Sequence, residues 1–238
     1  MKLLLHSCCA PCSVQCVEML AEEGIKPDLC WYNPNIHPYT EYRSRRDTLR
    51  LFAETRGLSL ILEDEYGLRS FINAVENGNF HNIITVEEEE NHRVSRSKEE
   101  TEQNSVSLGD LRGNDFISLR LEEGSDTRRQ YRCGFCYRLR LEKAARLAAE
   151  KGYDAFSTTL LISPYQNHDL IRESGEDLAA RYGILFLYRD FRPRFRQGQG
   201  QARQAGYYMQ KYCGCIYSEE ERYLGIGRPA SAAAKESQ

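Results

Sequence analysis

The chain has 238 residues, 41% of them apolar and 28% charged, with a net charge of -3. These amounts suit one or at most two globular domains and exclude fibrous and wholly disordered classes. No apolar run approaches the roughly 18 residues of a membrane span, and Leu3-Leu4-Leu5, broken at once by His6, is too short for a secretory signal peptide. The expectation is a cytoplasmic protein with no membrane partner.

In chain order, Lys2 to Ser7 reads as a strand and Ser13 to Glu23 as a helix, through Val14, Val17, Met19 and Leu20, ending at Gly24. Asp28 to Tyr32 is a second strand, Tyr39 to Arg56 a charged amphipathic helix stopped by Gly57, and Leu58 to Leu62 a third strand. Beyond an irregular stretch, Phe135 to Lys151 is a helix closed by Gly152 and Ala155 to Thr158 a strand. His168 to Tyr182 is a helix closed by Gly183, and Ile184 to Tyr188 a strand. Alternation of this kind predicts an α/β fold, a parallel sheet with flanking helices, whose sites lie at the carboxyl ends of the strands.

Charge is segregated. Residues 87 to 128 carry 12 acidic against 6 basic side chains, open with four consecutive glutamates and show little apolar periodicity. They read as a mobile acidic insertion in a single domain spanning 1–226, followed by a disordered tail at 227–238. Neither segment is expected to carry chemistry.

Nine cysteines in a reducing compartment argue for metal binding or redox chemistry rather than a disulfide framework. Cys8, Cys9, Cys12 and Cys16 stand together, Cys133 and Cys136 form a C-x-x-C, and Cys213 and Cys215 flank Gly214. The lone Cys30 reads as a small buried hydrophobe. Cys8 and Cys9 fall where the first strand meets the first helix, beside amides that favour thiolate, and Cys133 with Cys136 opens another helix. Two such pairs can converge on one centre, either a zinc tetrahedron or an iron-sulfur cluster, and spacing alone leaves both open. Cys9-Ala10-Pro11-Cys12, after a strand and opening a helix, is also the layout of a thioredoxin-like thiol-disulfide oxidoreductase, though that leaves the later pairs unexplained. The Cys213-Gly214-Cys215 spacing permits a strained, readily reduced disulfide, a store for two electrons; two more metal ligands is the other reading.

Six ordered motifs carry a resemblance. Leu4-Leu5-His6-Ser7-Cys8-Cys9-Ala10-Pro11-Cys12 is followed by Tyr32-Asn33-Pro34-Asn35-Ile36-His37-Pro38 with Glu41-Tyr42 and Arg45, then by Arg132-Cys133-Gly134-Phe135-Cys136-Tyr137 with Arg140-Leu141. Ser157-Thr158-Thr159-Leu160-Leu161-Ile162-Ser163-Pro164-Tyr165-Gln166 with His168, then Asp190-Phe191-Arg192, then Gln210-Lys211-Tyr212-Cys213-Gly214-Cys215 with Ser218, complete the set. Together they resemble the QueH family of epoxyqueuosine reductases over about residues 1–80 and 129–224, and not over the acidic insertion.

The resemblance implies a cobalamin-independent oxidoreductase that converts epoxyqueuosine to queuosine at the anticodon wobble position of tRNA. It implies that Cys8, Cys9, Cys133 and Cys136 bind a [4Fe-4S] cluster, that Cys213 and Cys215 form a redox-active disulfide, and that an additional iron ion is a candidate cofactor with Cys12 beside it. The implied fold is Rossmann-like, similar to the adenine nucleotide alpha hydrolases. The implied partners are tRNA carrying epoxyqueuosine and an electron donor that the sequence does not identify. His37, His168 and Tyr165 are polar candidates for a proton donor. For RNA, Arg189 to Tyr212 carries 6 basic and 1 acidic side chains interleaved with Phe191, Phe195, Tyr207, Tyr208 and Tyr212, a pattern that suits an unstacked anticodon loop.

Overall fold

Strand β1 (Leu3–His6) is buried along its whole length. A strand with consecutive rather than alternating apolar residues must be covered on both faces, as happens inside a parallel sheet. It is flanked by β2 (Asp28–Trp31), with Leu5 opposite Leu29, and by β4 (Ala155–Thr158), with Leu5 opposite Ser157. Strands β3 (Leu60–Leu62) and β5 (Leu185–Phe186) close the two edges, giving the all-parallel order β3-β2-β1-β4-β5. This is the expected α/β, Rossmann-like architecture.

The computed structural model describes residues 1–77 and 125–225. The chain divides into two compact units, Met1–Leu68 with Cys136–Ile226 and Arg69–Phe135 with Gly227–Gln238, and the whole sheet belongs to the first. Of the expected acidic insertion, 87–124 lies outside the described residues, as does the tail at 227–238.

Helix α1 (Ala10–Glu22) begins three residues before the expected Ser13, because Pro11 sits in its first turn, where the missing N–H costs nothing. Helix α2 (Tyr39–Arg56) matches its expected limits. Helix α3 (Leu68–Asn77), not foreseen, buries Phe71, Ala74 and Val75 at spacings of three and four. Helix α4 (Ser125–Glu150) starts ten residues before the expected Phe135, since its opening turns are too polar to show a period. In the second unit Phe71 meets Phe135 edge-on, with ring centroids 6.0 Å apart.

Helix α5 (His168–Tyr182) is capped by the Asn167 side chain, which accepts from the amides of Asp169 and Leu170 at 3.1 and 3.2 Å. It packs under β5, where a Cβ on Gly175 would lie 2.4 Å from the Phe186 ring. The stretch after β5 holds two unforeseen helices, α6 (Phe195–Gln204) and α7 (Ile216–Tyr223). Helix α6 lies along α1, with the Gln15 amide 2.5 Å from Gln201 Oε1.

Candidate active site

The sheet order reverses between β1 and β4, and a crevice opens at the carboxyl ends of strands on either side of such a switch point. The segment leaving β1 carries Cys8 and Cys9; that leaving β4 carries Thr159. The Cys8 amide donates to Thr159 Oγ1 at 3.3 Å, tying the two exits together. Cys9 is the N-cap of α1, and Cys12 lies one turn further on. The sulfurs of Cys8, Cys9 and Cys12 all lie within 4.8 Å of one another, and all three residues are buried.

Three thiols packed this closely cannot all keep their ordinary acidity. Hydrogen bonds shared with the Cys12 and Cys9 sulfurs hold the Cys8 thiol well below its usual range, against the cost of burial and with help from the Arg140 charge. Burial pushes Cys9 up, and the bond to Cys8 pushes Cys12 up. Buried thiols that share hydrogen bonds this closely suit a thiophilic metal site, in which the metal replaces the protons. Cys16 and Cys30 are also buried thiols whose burial raises them, Cys30 to about 12. Cys30 is fully buried in β2, the core role expected of it.

The Cys213-Gly214-Cys215 turn belongs to the same unit. Arg45 on α2, 1% exposed, donates from Nη1 to the Cys213 carbonyl at 2.9 Å and from Nη2 to the Tyr212 carbonyl at 3.0 Å. Its charge is met by Glu41, one helical turn earlier, at 2.6 Å. From the loop after β2, the His37 amide donates to the Gly214 carbonyl at 2.7 Å, and Tyr212 Oη returns a bond to the His37 carbonyl at 2.5 Å. Gly214 has φ 129°, and a Cβ there would lie 3.1 Å from Arg45 Nη1; the close approach of the guanidinium and the positive φ both require glycine. Cys213 is exposed, with Gln166 Nε2 3.6 Å from its sulfur, while Cys215 is buried as the N-cap of α7. All nine cysteines are free thiols.

Helix α4 brings Arg140, also 1% exposed, to this region. Burial lowers its pKa, but the sulfurs of Cys136, Cys213 and Cys8, together with Tyr137, more than offset this and hold the guanidinium above its ordinary range. Its Nη2 is buried without a hydrogen-bond partner. The donor set therefore fits an anionic metal-thiolate centre: clustered buried sulfurs with an orphaned cation facing them. Cys12, expected only beside an additional iron, takes its place among the clustered sulfurs, with Gln210 Nε2 3.4 Å from its Sγ. Of the expected ligands, Cys8 and Cys9 are together and Cys136 shares their unit; Cys133, one turn earlier on α4, falls in the second unit.

The candidate proton donors differ in setting. The His37 ring is buried, donates from Nε2 to the Pro34 carbonyl at 3.0 Å and is pushed down to about 4, chiefly by burial. That bond and its amide's bond to Gly214 make it an organiser of the loop. His168 shares its Nδ1 with Tyr188 Oη at 3.3 Å and is lowered by burial, while Tyr165 is 78% exposed. His6, which sequence reasoning passed over, accepts at Nδ1 from Thr158 Oγ1 at 2.9 Å and donates at Nε2 to the Tyr32 carbonyl at 3.1 Å. Burial and the Arg140 charge lower it to about 4, so it is a neutral strut between β1, β2 and β4.

Part of the stretch expected to face RNA is engaged by the protein. Arg189 pairs with Glu23, which caps the end of α1, Arg194 with Glu22 in its last turn, and Arg192 with Asp190. Phe191 is fully buried, Tyr207 meets Phe52 edge-on, and Tyr208 donates to Glu41. Arg196, Arg203 and Lys211 remain as exposed cations.

A family model described as epoxyqueuosine reductase QueH matches residues 3–82 and 77–221. The chain belongs to the QueH family. An epoxyqueuosine reductase QueH of Dehalococcoides mccartyi is 32% identical over 98% of both chains. The QueH protein of Histophilus somni is 30% identical over 91% of this chain and 72% of its own, and that of Thermotoga maritima 28% identical over 92% and 91%. This membership counts against a thioredoxin-like role for Cys9 and Cys12, and the site gives the reason. A dithiol that attacks disulfides needs an accessible, acidified first thiol, whereas Cys9 is 1% exposed and its pKa is raised. No described helix is long and apolar enough to cross a membrane.

Proposed function

We propose that this protein reduces epoxyqueuosine to queuosine in the anticodon wobble position of tRNA, in the cytoplasm, through a [4Fe-4S] cluster held by Cys8, Cys9, Cys133 and Cys136. The observation that carries the reading is the buried group of Cys8, Cys9 and Cys12 sulfurs at the sheet's switch point, in a chain of the QueH family. Support for the second pair is their spacing: residues three apart on α4 present both sulfurs on one helical face. Cys12 is the residue proposed to help hold an additional iron.

Converting the epoxide to the alkene takes two electrons and two protons and releases its oxygen as water. When bound, an iron-sulfur centre supplies one-electron transfer and a Lewis-acidic metal. The chain's own residues supply the rest. Cys213 and Cys215 together give two electrons and two protons as their S–S bond forms, and an external reductant reopens it. Arg45, Gly214 and His37 hold that turn in place, leaving Cys213 at the surface where a reductant can reach it.

Anaerobic reconstitution tests the reading: about four iron and four sulfide per chain, with turnover of tRNA carrying epoxyqueuosine. Cys213→Ser or Cys215→Ser should keep the cluster's absorbance and lose turnover. A colourless, zinc-loaded wild type that still binds RNA would overturn the reading.

A further inference from the structure

The two buried arginines are provided for differently. Arg45 has a carboxylate and two backbone carbonyls. Arg140 donates from Nε to the Cys136 carbonyl of its own helix at 3.0 Å, and its Nη2 has no partner. Among the described residues no carboxylate lies within ion-pair distance of it. A guanidinium does not shed its proton in a protein, so this charge persists at 1% exposure. Natural folds seldom keep a buried charge unless an anion belongs beside it. The titratable groups around Arg140 are the sulfurs of Cys136, Cys213 and Cys8, the Tyr137 hydroxyl, which donates to Gln166, and the His6 ring.

We infer that Arg140 is the fixed counter-cation of the proposed iron-sulfur centre, and that its charge raises the centre's reduction potential. The inference rests on the reading above. Reduction adds one negative charge to an already anionic thiolate-ligated group. A cation fixed in a dry site stabilises the reduced form more than the oxidised one, and little solvent is present to screen it. Removing the charge should make the centre harder to reduce without altering its ligands. Arg140 is on this account a tuning residue: it need not touch substrate.

The test uses anaerobically reconstituted full-length protein and reads iron, sulfide and the midpoint potential from an EPR-monitored titration. Arg140→Met should load iron and sulfide as the wild type does, with the reduction equilibrium shifted at least tenfold towards the oxidised form, a fall of 59 mV for one electron. Arg140→Lys should stay close to the wild type. A loaded Arg140→Met with an unchanged midpoint overturns the inference and leaves the functional reading standing. If Arg140→Met does not load, Arg140→Gln and Arg140→Lys decide. A lower midpoint in Gln than in Lys, or loading by Lys alone, supports the role of charge. Equal midpoints, or failure of both to load, assign Arg140 a role in shape alone and overturn the inference. A wild type that takes up no iron-sulfur centre removes the reading and the inference together.

Discussion

Arg45 Nη1 donates to the carbonyl of Cys213 at 2.9 Å, across 168 positions of sequence. The exposed dithiol turn is thereby fastened to a charge buried in α2 rather than left to its own loop. Its placement depends on Arg45, on the carboxylate that makes burying Arg45 tolerable, and on the His37 amide that donates to the Gly214 carbonyl.

Arg45→Gln should therefore act on two levels. Removing one partner of a buried pair leaves Glu41, 7% exposed, without its cation, and the expected loss is about 3–5 kcal/mol of unfolding free energy. Turnover should fall further than stability alone explains, because the Tyr212 and Cys213 carbonyls lose their donors as well. Urea unfolding together with single-turnover rates on folded protein separates the two effects; equal stability in variant and wild type would contradict the role assigned to the pair.

Gly214→Ala tests the same turn from the other side. At φ 129° an alanine is strained, and its Cβ would press on Arg45 Nη1 at 3.1 Å and Ile36 Cγ1 at 3.2 Å. The expected cost is about 1–3 kcal/mol. Alkylation of Cys213 in native protein should change rate as the turn shifts, while buried Cys30 stays protected. An alanine variant with native stability and an unchanged alkylation rate would show the turn to be less constrained than its contacts imply.

The sheet was legible because its signals are local: β1 opens with three consecutive leucines, and Gly57 and Gly183 stop their helices in left-handed conformation at φ 59° and 64°. Cys8 and Cys9 were legible as site residues because a strand-to-helix junction in a parallel sheet is where sites are built. Two things were not. The first turns of α4 are charged, and Tyr131, four residues before Phe135, is too isolated among polar neighbours to announce the helix by itself. The ion pairs within the Arg189–Tyr212 stretch were not legible, since the acids Glu22 and Glu23 lie more than 160 positions away, at the end of α1. Charge counted along a sequence misses charge that is matched in space. Arg140 was legible only as part of a motif; its orphaned Nη2 needed coordinates.

His37 makes stability depend on pH. Its folded pKa, about 4, lies below the ordinary histidine value of about 6.5. Between these values the unfolded chain binds a proton that the folded one does not, so folding weakens as pH falls through the window. Below about pH 4 both forms are protonated and this contribution stops changing. Comparing unfolding free energy for wild type and His37→Gln across pH 4 to 7 isolates the effect from other titrating groups. The wild type should lose more stability on acidification than the variant; parallel curves would mean that His37 is not kept neutral by its site.

Binding of tRNA should depend on salt through the cations left over once the ion pairs are counted. Arg196, Arg203 and Lys211 are exposed, and none has an ion pair among the described residues. Arg189 and Arg194 are engaged by the Glu23 and Glu22 carboxylates at the end of α1. A phosphate contact to a single strand contributes about 0.7 to the slope of log affinity against log salt. Replacing Arg196 and Lys211 together by Gln should therefore flatten the slope by up to about 1.4 if each meets one phosphate, whereas replacing Arg194 should change it less, since Glu22 competes for its guanidinium. Fluorescence anisotropy of an anticodon stem-loop at several salt concentrations reads both slopes. A larger loss from Arg194→Gln than from the double variant would place the RNA on the α1 side of this stretch instead.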